Sequence, residues 1–512
     1  MKKMNENTVL KTYRPETAQP PRTFEKWEVT FAVLSILGGY LFVRFFPAYR
    51  QSLYAGLLVI GMYIFAGKFL KKSNVVDKKI FLLTAFVLSA CIFINGGGDM
   101  TDLCFLAAVA LWPVYIYFSF NPSGEWNYFF TDAFKALAVM PFASFFALFS
   151  AIKGANKTEK KPYRTVLTIA AGLIVSIIPC SIIISLLSYD SLFGQMMEGF
   201  WGVVGAEILY RVFVFIISIP CTLYIFGTFI SAKDNKKAGV LSHENCEVFS
   251  AGMKFSPLAL SLSAALPVLG VYALFFFSQK ELYLCAFSGV LPAGYTYAVY
   301  AREGFFELCT VCAINAGILI LLHLITKADS EGKRTALKVL NLAFIAATLI
   351  LMATAFSKLY LYISVYGMTV KRLNAGWFLI VLTLCFIASG IKQFYGKLNL
   401  VKAVVLVVAI AFCLLAISCP NARIASYNVA NYLGGRLERV DIEQLCYLGE
   451  SAVPAMVRLA QEGKDALGDS YYQLNGFLQN ISQEISEKKG LGELSLPLIL
   501  ARDALRKGGY PR

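Results

Sequence analysis

About a dozen times the chain settles into roughly twenty apolar residues, and nothing else in the sequence restricts its fold as severely. The hydrocarbon core of a bilayer is crossed by about 20 residues of helix, or by about 9–11 of tilted strand. Backbone surrounded by lipid must satisfy its own hydrogen bonds, so only helices and closed barrels span it. Runs at 29–46, 53–70, 80–94, 103–120, 133–152, 165–187, 201–230, 258–277, 305–325, 339–365, 375–391 and 400–418 have helical length. The expected fold is therefore all-α: a polytopic transmembrane helical bundle of about 11–13 spans with a small C-terminal helical domain. Pro113, Pro141, Pro179, Pro220 and Pro267 interrupt runs, which membrane helices tolerate where neighbours or water meet the freed carbonyls.

Composition agrees. Hydrophobic residues reach 57% and charged ones 15%, against about 25% charged in an ordinary soluble domain. Forty-seven Lys and Arg against 32 Asp and Glu leave a net +15. Residues 421–512 hold 11 of each sign, so the whole excess lies before them, at loops and helix ends. A nucleic-acid surface gathers its cations on one polar face; here they punctuate apolar runs, as topology signals do. The expected partner is the bilayer, not nucleic acid.

Three regions follow. Residues 1–28 form a polar tail with Lys2, Lys3, Lys11, Arg14, Arg22 and Lys26, lacking a signal-cleavage pattern. Residues 29–420 form the bundle, and 421–512 a soluble amphipathic domain. In that domain Leu474, Phe477, Leu478, Ile481 and Ile485 keep helical spacing. Ser451 is expected to cap a helix near Pro454, and Ser495 with Pro497 to open the last one.

Lysine-rich loops are expected in the cytoplasm: Lys68, Lys71, Lys72, Lys78 and Lys79 mark one, Lys153–Arg164 a second, and Lys233, Lys236 and Lys237 a third. The N-terminus is then cytoplasmic, while the acidic loops 95–102 and 188–198 lie outside. For this alternation to hold, 133–152 must be a re-entrant or surface helix. Residues 281–300, broken by Gly289, Pro292 and Gly294, decide the far end. If they do not cross, the C-terminal domain lies outside, the favoured reading; if they do, it lies inside.

Chemistry-bearing residues are few. Eight of the twelve cysteines lie in or beside apolar runs, where Cys acts as a small hydrophobe. Cys309-x-x-Cys312 sits on a membrane helix without a second pair and reads as packing. With two histidines, His243 in a loop and His323 in an apolar run, neither a metal site nor a cofactor is expected. Intramembrane charges are costly and face partners or cavities. Glu207 and Arg211, at i,i+4 inside 201–230, suit an internal pair that staples the helix or, alternatively, a site for an ion, proton or charged substrate. Asn315 must find an interhelical partner.

Four ordered motifs resemble an uncharacterised bacterial multi-pass membrane family, domain of unknown function four-one-seven-three, related to four-one-five-three. They are Leu-Leu-Ser-Tyr-Asp ending at Asp190, Tyr300-Ala-Arg302-Glu303-Gly304-Phe-Phe, Tyr366-Gly367-Met-Thr369-Val-Lys-Arg372, and Ile-Ala-Ser-Tyr427-Asn428. Ser426 and Asn431 stand where the family more often has arginine. The resemblance implies a multi-pass protein of the bacterial plasma membrane without assigned catalytic residues. A transporter-like or channel-like bundle is the first functional expectation. A regulatory or assembly component acting on a protein partner through 421–512 is the alternative. An enzyme on lipid-linked substrates ranks last, because Asp190, Tyr300, Arg302 and Glu303 would have to converge.

Overall fold

The computed structural model describes residues 24–49, 53–69, 76–120, 126–154, 206–234, 243–278 and 305–510, with isolated positions between 172 and 196. They are helical almost throughout. In chain order the helices are α1 (Lys26–Tyr49), α2 (Leu53–Phe69), α3 (Val76–Asn95), α4 (Asp99–Phe120), α5 (Phe129–Phe134), α6 (Met140–Ala143) and α7 (Ala147–Gly154). Next come α8 (Ala206–Lys233), α9 (His243–Met253), α10 (Leu258–Ser278), α11 (Phe305–Ile325), α12 (Glu331–Tyr366), α13 (Val370–Phe394) and α14 (Leu400–Ile417). Six shorter elements close the chain: α15 (Pro420–Leu433), α16 (Ile442–Tyr447), α17 (Val453–Glu462), α18 (Lys464–Leu467), α19 (Ser470–Glu487) and α20 (Leu496–Lys507).

Eight of these helices are long and apolar enough to cross a bilayer, and α2 and α3 are shorter apolar helices. Ten of the twelve expected runs are thus helices. The run 165–187 falls almost wholly outside the described residues, as does 281–300. The run 133–152, expected as a re-entrant or surface helix, is not one regular helix. It is divided among α5, a π-helical turn at Lys135–Val139, α6, a turn and α7. Pro141 stands in α6 without an N–H to donate, next to the π-helical turn.

Two compact units emerge from the contacts. One comprises Met1–Val43 and Pro141–Ile230. Its core joins α1 to α8: the Phe31 ring lies 4.3 Å from that of Phe229, and Trp27 meets Phe229 edge-on at 6.0 Å.

The other unit comprises Arg44–Met140 and Ser231–Arg512. At one end of it α3 begins, α4 finishes and α14 begins. Phe81 stacks on Phe118 at 5.4 Å, Asn399 bonds Asn127 at 3.0 Å, and the Lys402 ammonium lies 5.0 Å from the Trp126 ring. The start of α12 meets the end of α13 through Lys338 over Phe394. At the opposite end Asn95 Nδ2 donates to Cys91 O and to Ala416 O, both 2.8 Å, tying the end of α3 to the end of α14. Helix α12, with 36 residues, is about 54 Å long at 1.5 Å per residue. It therefore outruns the hydrocarbon core of about 30 Å.

The last six helices build a core of a different kind. Leu445, Ala452, Val453, Met456, Leu459, Leu474, Leu478 and Ala501 are fully buried together with Ile424, Ala425 and Val429 of α15. Met368, Val370 and Leu373, at the α12–α13 turn, pack against the same cluster. Ser495 caps α20 as expected, accepting from Leu498 N at 3.3 Å. Ser451 does not cap α17: it lies in the 3-10 turn Gly449–Ala452, and Ala452 holds the cap position without a side-chain bond. Pro454 within the first turn costs nothing there, because that N–H has no helical acceptor.

Candidate functional site

The end of the second unit where α3, α12 and α14 finish carries two of the sequence motifs, and the fold brings them into contact. Helix α12 stops at Gly367, whose φ of +75° belongs to the region glycine favours. A Cβ there would stand 2.7 Å from Asn428 Oδ1. That bare approach lets the Asn428 amide close a two-bond ring on one residue: Oδ1 accepts from Met368 N at 2.7 Å, and Nδ2 donates to Met368 O at 2.8 Å. Gln444 Nε2 adds a bond to the same carbonyl at 3.2 Å. Thr369 caps α13 by accepting from Arg372 N. Arg372 reaches back to Tyr366 O at 2.9 Å and to Gly367 O, while its guanidinium lies 4.0 Å from the Tyr362 ring. Its donors serve the carbonyls orphaned at a helix end, where a cation is also favoured by the dipole. Tyr427 stands beside Asn428 with its ring partly exposed.

Beside this junction opens a cavity of about 670 Å3, between the Gly96–Gly98 loop and the helical domain. Its wall carries Asn421, Glu450, Asn480, Glu484 and Lys488. Gly96 has φ +72°, and a Cβ on it would meet Ser495 Oγ at 2.8 Å, so the loop lies directly against the start of α20. Lys488 Nζ bonds Glu450 and Glu484, each at 2.8 Å. Burial works against the Lys488 ammonium, but those two carboxylates outweigh it and hold the group above the ordinary lysine range. The chain enters the domain through Cys419, a non-glycine residue at φ +51° followed by Pro420.

Inside the apolar helices, Asn315 has found its partners. Tyr272 OH donates to Asn315 Oδ1 at 2.6 Å, and Asn315 Nδ2 donates to Thr348 Oγ1 at 2.8 Å, joining α10, α11 and α12. Thr348 passes the chain to Phe344 O. Cys309 and Cys312 are free thiols, and Cys312 is buried in the apolar core of α11–α13.

The remaining singled-out residues lie elsewhere in the chain, several of them outside the described residues. Asp190 accepts from Leu192 N and Phe193 N, at 3.1 and 3.0 Å, in a local turn. Glu207 and Arg211 both lie in α8; Arg211 is exposed, and the Glu207 side chain is outside the described residues. Tyr300, Arg302, Glu303 and Gly304 are also outside them. One constellation escaped the sequence reading. Asp132, wholly buried, bonds Tyr117 OH at 2.9 Å and His243 Nε2 at 3.0 and 3.1 Å. His243 begins α9 instead of lying in a loop. The available signal was a lone acid at the edge of an apolar run in a chain with two histidines. Among the described residues no group of three or more His, Cys, Asp or Glu side chains suits a metal ion.

A chain with eight helices long and apolar enough to cross a bilayer among its described residues is an integral, multi-pass membrane protein. Within that class the family is defined: the model described as Domain of unknown function (DUF4153) matches residues 82–459, and the chain belongs to that family. No curated protein and no solved structure matches it.

Proposed function

We propose that the protein is a regulatory or assembly component of a bacterial plasma membrane, receiving a protein partner in the cleft of its C-terminal helical domain. The observation that carries this reading is the core shared by that domain and the α12–α13 turn. A partner in the cleft would press on elements continuous with membrane helices, with no flexible tether between. The Gly96–Gly98 wall belongs to the α3–α4 loop, so the cleft is itself half membrane-helix connection.

Sidedness follows from charge. The end remote from the domain holds Lys79, Lys327, Lys333, Arg334, Lys338, Lys392, Lys397 and Lys402, and short lysine-rich loops stay in the cytoplasm. The helical domain then lies outside, and the N-terminal tail inside. The test is a photo-crosslinking residue at Tyr447, which lines the cleft and is 74% exposed. A partner adduct should form there, and Asn480→Arg should abolish it at unchanged abundance. An adduct indifferent to Asn480→Arg would refute the reading.

A transporter-like or channel-like bundle is the second reading, favoured by the Tyr272–Asn315–Thr348 chain within apolar helices. Ion flux in vesicles holding the purified protein, abolished by Asn315→Leu, would support it. Flux no greater than in empty vesicles would remove it.

A further inference from the structure

At the lysine-rich end of the second unit, opposite the cleft, Asp132 presents a carboxylate with no exposed surface. An isolated buried carboxylate is strongly unfavourable unless paired and hydrogen-bonded. Tyr117 OH, from α4, satisfies Oδ1 at 2.9 Å. His243 Nε2, the first residue of α9, lies against both oxygens at 3.1 and 3.0 Å. A neutral imidazole offers one N–H there, whereas an imidazolium makes the bond charge-assisted and cancels the buried charge. The surroundings are specific. The Tyr128 ring stacks on the imidazole, centroids 4.3 Å apart and planes at 19°, and its OH donates to Glu247 Oε1 at 2.9 Å. Glu247 stands one turn after His243 on α9 and adds negative charge near the ring. Lys135, buried one turn beyond Asp132 with its ammonium 5.9 Å from the centre of the Tyr117 ring, adds positive charge. The helix departs from α geometry at this point, since the π-helical turn begins at Lys135; such turns recur at functional sites.

We propose that Asp132 and His243 form a proton-binding site that latches α9 to α5. With the proton bound, an imidazolium–carboxylate pair holds α9 down. When the proton leaves to solvent, past a ring whose side chain is 32% exposed, a single neutral-donor bond remains and α9 loosens. Asp132, Glu247 and Lys135 are the charged groups placed around the imidazole. Tyr117 and Tyr128 hold the geometry. This site is independent of the partner-binding cleft, so either proposal can fail alone.

The chain has only two histidines, which makes the test direct on the full-length protein in detergent or nanodiscs. Nitrogen-15 histidine labelling gives two imidazole signals, and His323→Gln assigns them. The His243 signal is followed through pH 5–8, where imidazoles change charge. Asp132→Asn, which keeps shape and hydrogen bonding, should lower His243 proton affinity at least tenfold, and Lys135→Gln should raise it. A spin label at Phe249, exposed on α9, should gain mobility as the wild-type imidazole loses its proton. It should show no such transition in His243→Gln. A His243 titration unmoved by Asp132→Asn overturns the site. A label whose mobility is constant across the wild-type titration, or follows pH equally in His243→Gln, overturns the latch. These readings come from the wild type and isosteric variants, so a variant that fails to fold leaves the wild-type label titration to decide.

Discussion

Helix α14 and helix α17 are both rich in aliphatic residues, yet they place them oppositely. The α14 window has mean hydropathy 3.0, and only 6% of it is buried by protein. Leu414 is 62% exposed and Ile410 57%. In α17, Val453, Met456 and Leu459 have no exposed surface, while Arg458 and Glu462 form an ion pair on the outside. The first helix is arranged for lipid and the second for water. In lipid, exposing a leucine costs nothing, so the helix needs no polar face and its sequence carries no periodicity. In water, burial stabilises by about 25 cal/mol per Å2 of apolar surface, which writes a stripe into the sequence.

The sharpest way to break this contrast is paired truncation. Leu474→Ala, in the core of the helical domain, should cost about 2–5 kcal/mol by thermal or denaturant unfolding in detergent. Leu414→Ala on α14 should cost less than about 0.5 kcal/mol. Comparable losses at both positions would mean that α14 is packed against protein, not lipid.

The junction between the two regimes comes next. Gly367→Ala strains a +75° φ and drives a methyl group onto Asn428, so a loss of about 1–3 kcal/mol is expected. Asn428→Ala should cost about 1–2 kcal/mol for the bonds lost on Met368. Because they disturb one contact, the double variant should lose less than the sum. Strict additivity would show that the ring is not the link between membrane helix and domain.

Within the lipid regime, Asn315→Leu should cost about 0.6–2 kcal/mol, the range of interhelical hydrogen bonds in membranes. A substitution that stabilises would place that side chain outside the bundle. Smallest of all is Lys488→Met, expected to cost under about 1 kcal/mol, since a partly exposed ion pair contributes little. Its folded-state affinity for the proton is raised, so any contribution is complete at neutral pH. On the lysine side it fades as pH climbs past the lysine range, and a contribution that persists after Lys488 has lost its proton would contradict the assignment.

Legibility in the sequence followed the same division. Apolar run length located ten helices because lipid imposes a length, and Asn315 announced its need for a partner because an amide in hydrocarbon must have one. The periodicity of α19 was readable because water imposes a stripe. The run 133–152 has the composition of a span, and only the lysine-rich loops around it and Pro141 set it apart from one. Contacts through backbone left no trace. Asn428 and Met368, 60 positions apart, sit in two motifs that were both conspicuous, but an amide bonding another residue's N–H and C=O asks nothing of that residue's side chain. Asp132 and His243 are 111 positions apart, and each has an ordinary local explanation. Only the fold joins them.

The two ends of the second unit should face opposite sides of the membrane. Single cysteines at Tyr472, 77% exposed on the helical domain, and at Lys397, in the α13–α14 loop, can be probed in intact cells after the native cysteines are replaced. A membrane-impermeant maleimide should label position 472 from outside and position 397 only after permeabilisation. Labelling of both from one side, or of 397 alone from outside, would contradict it.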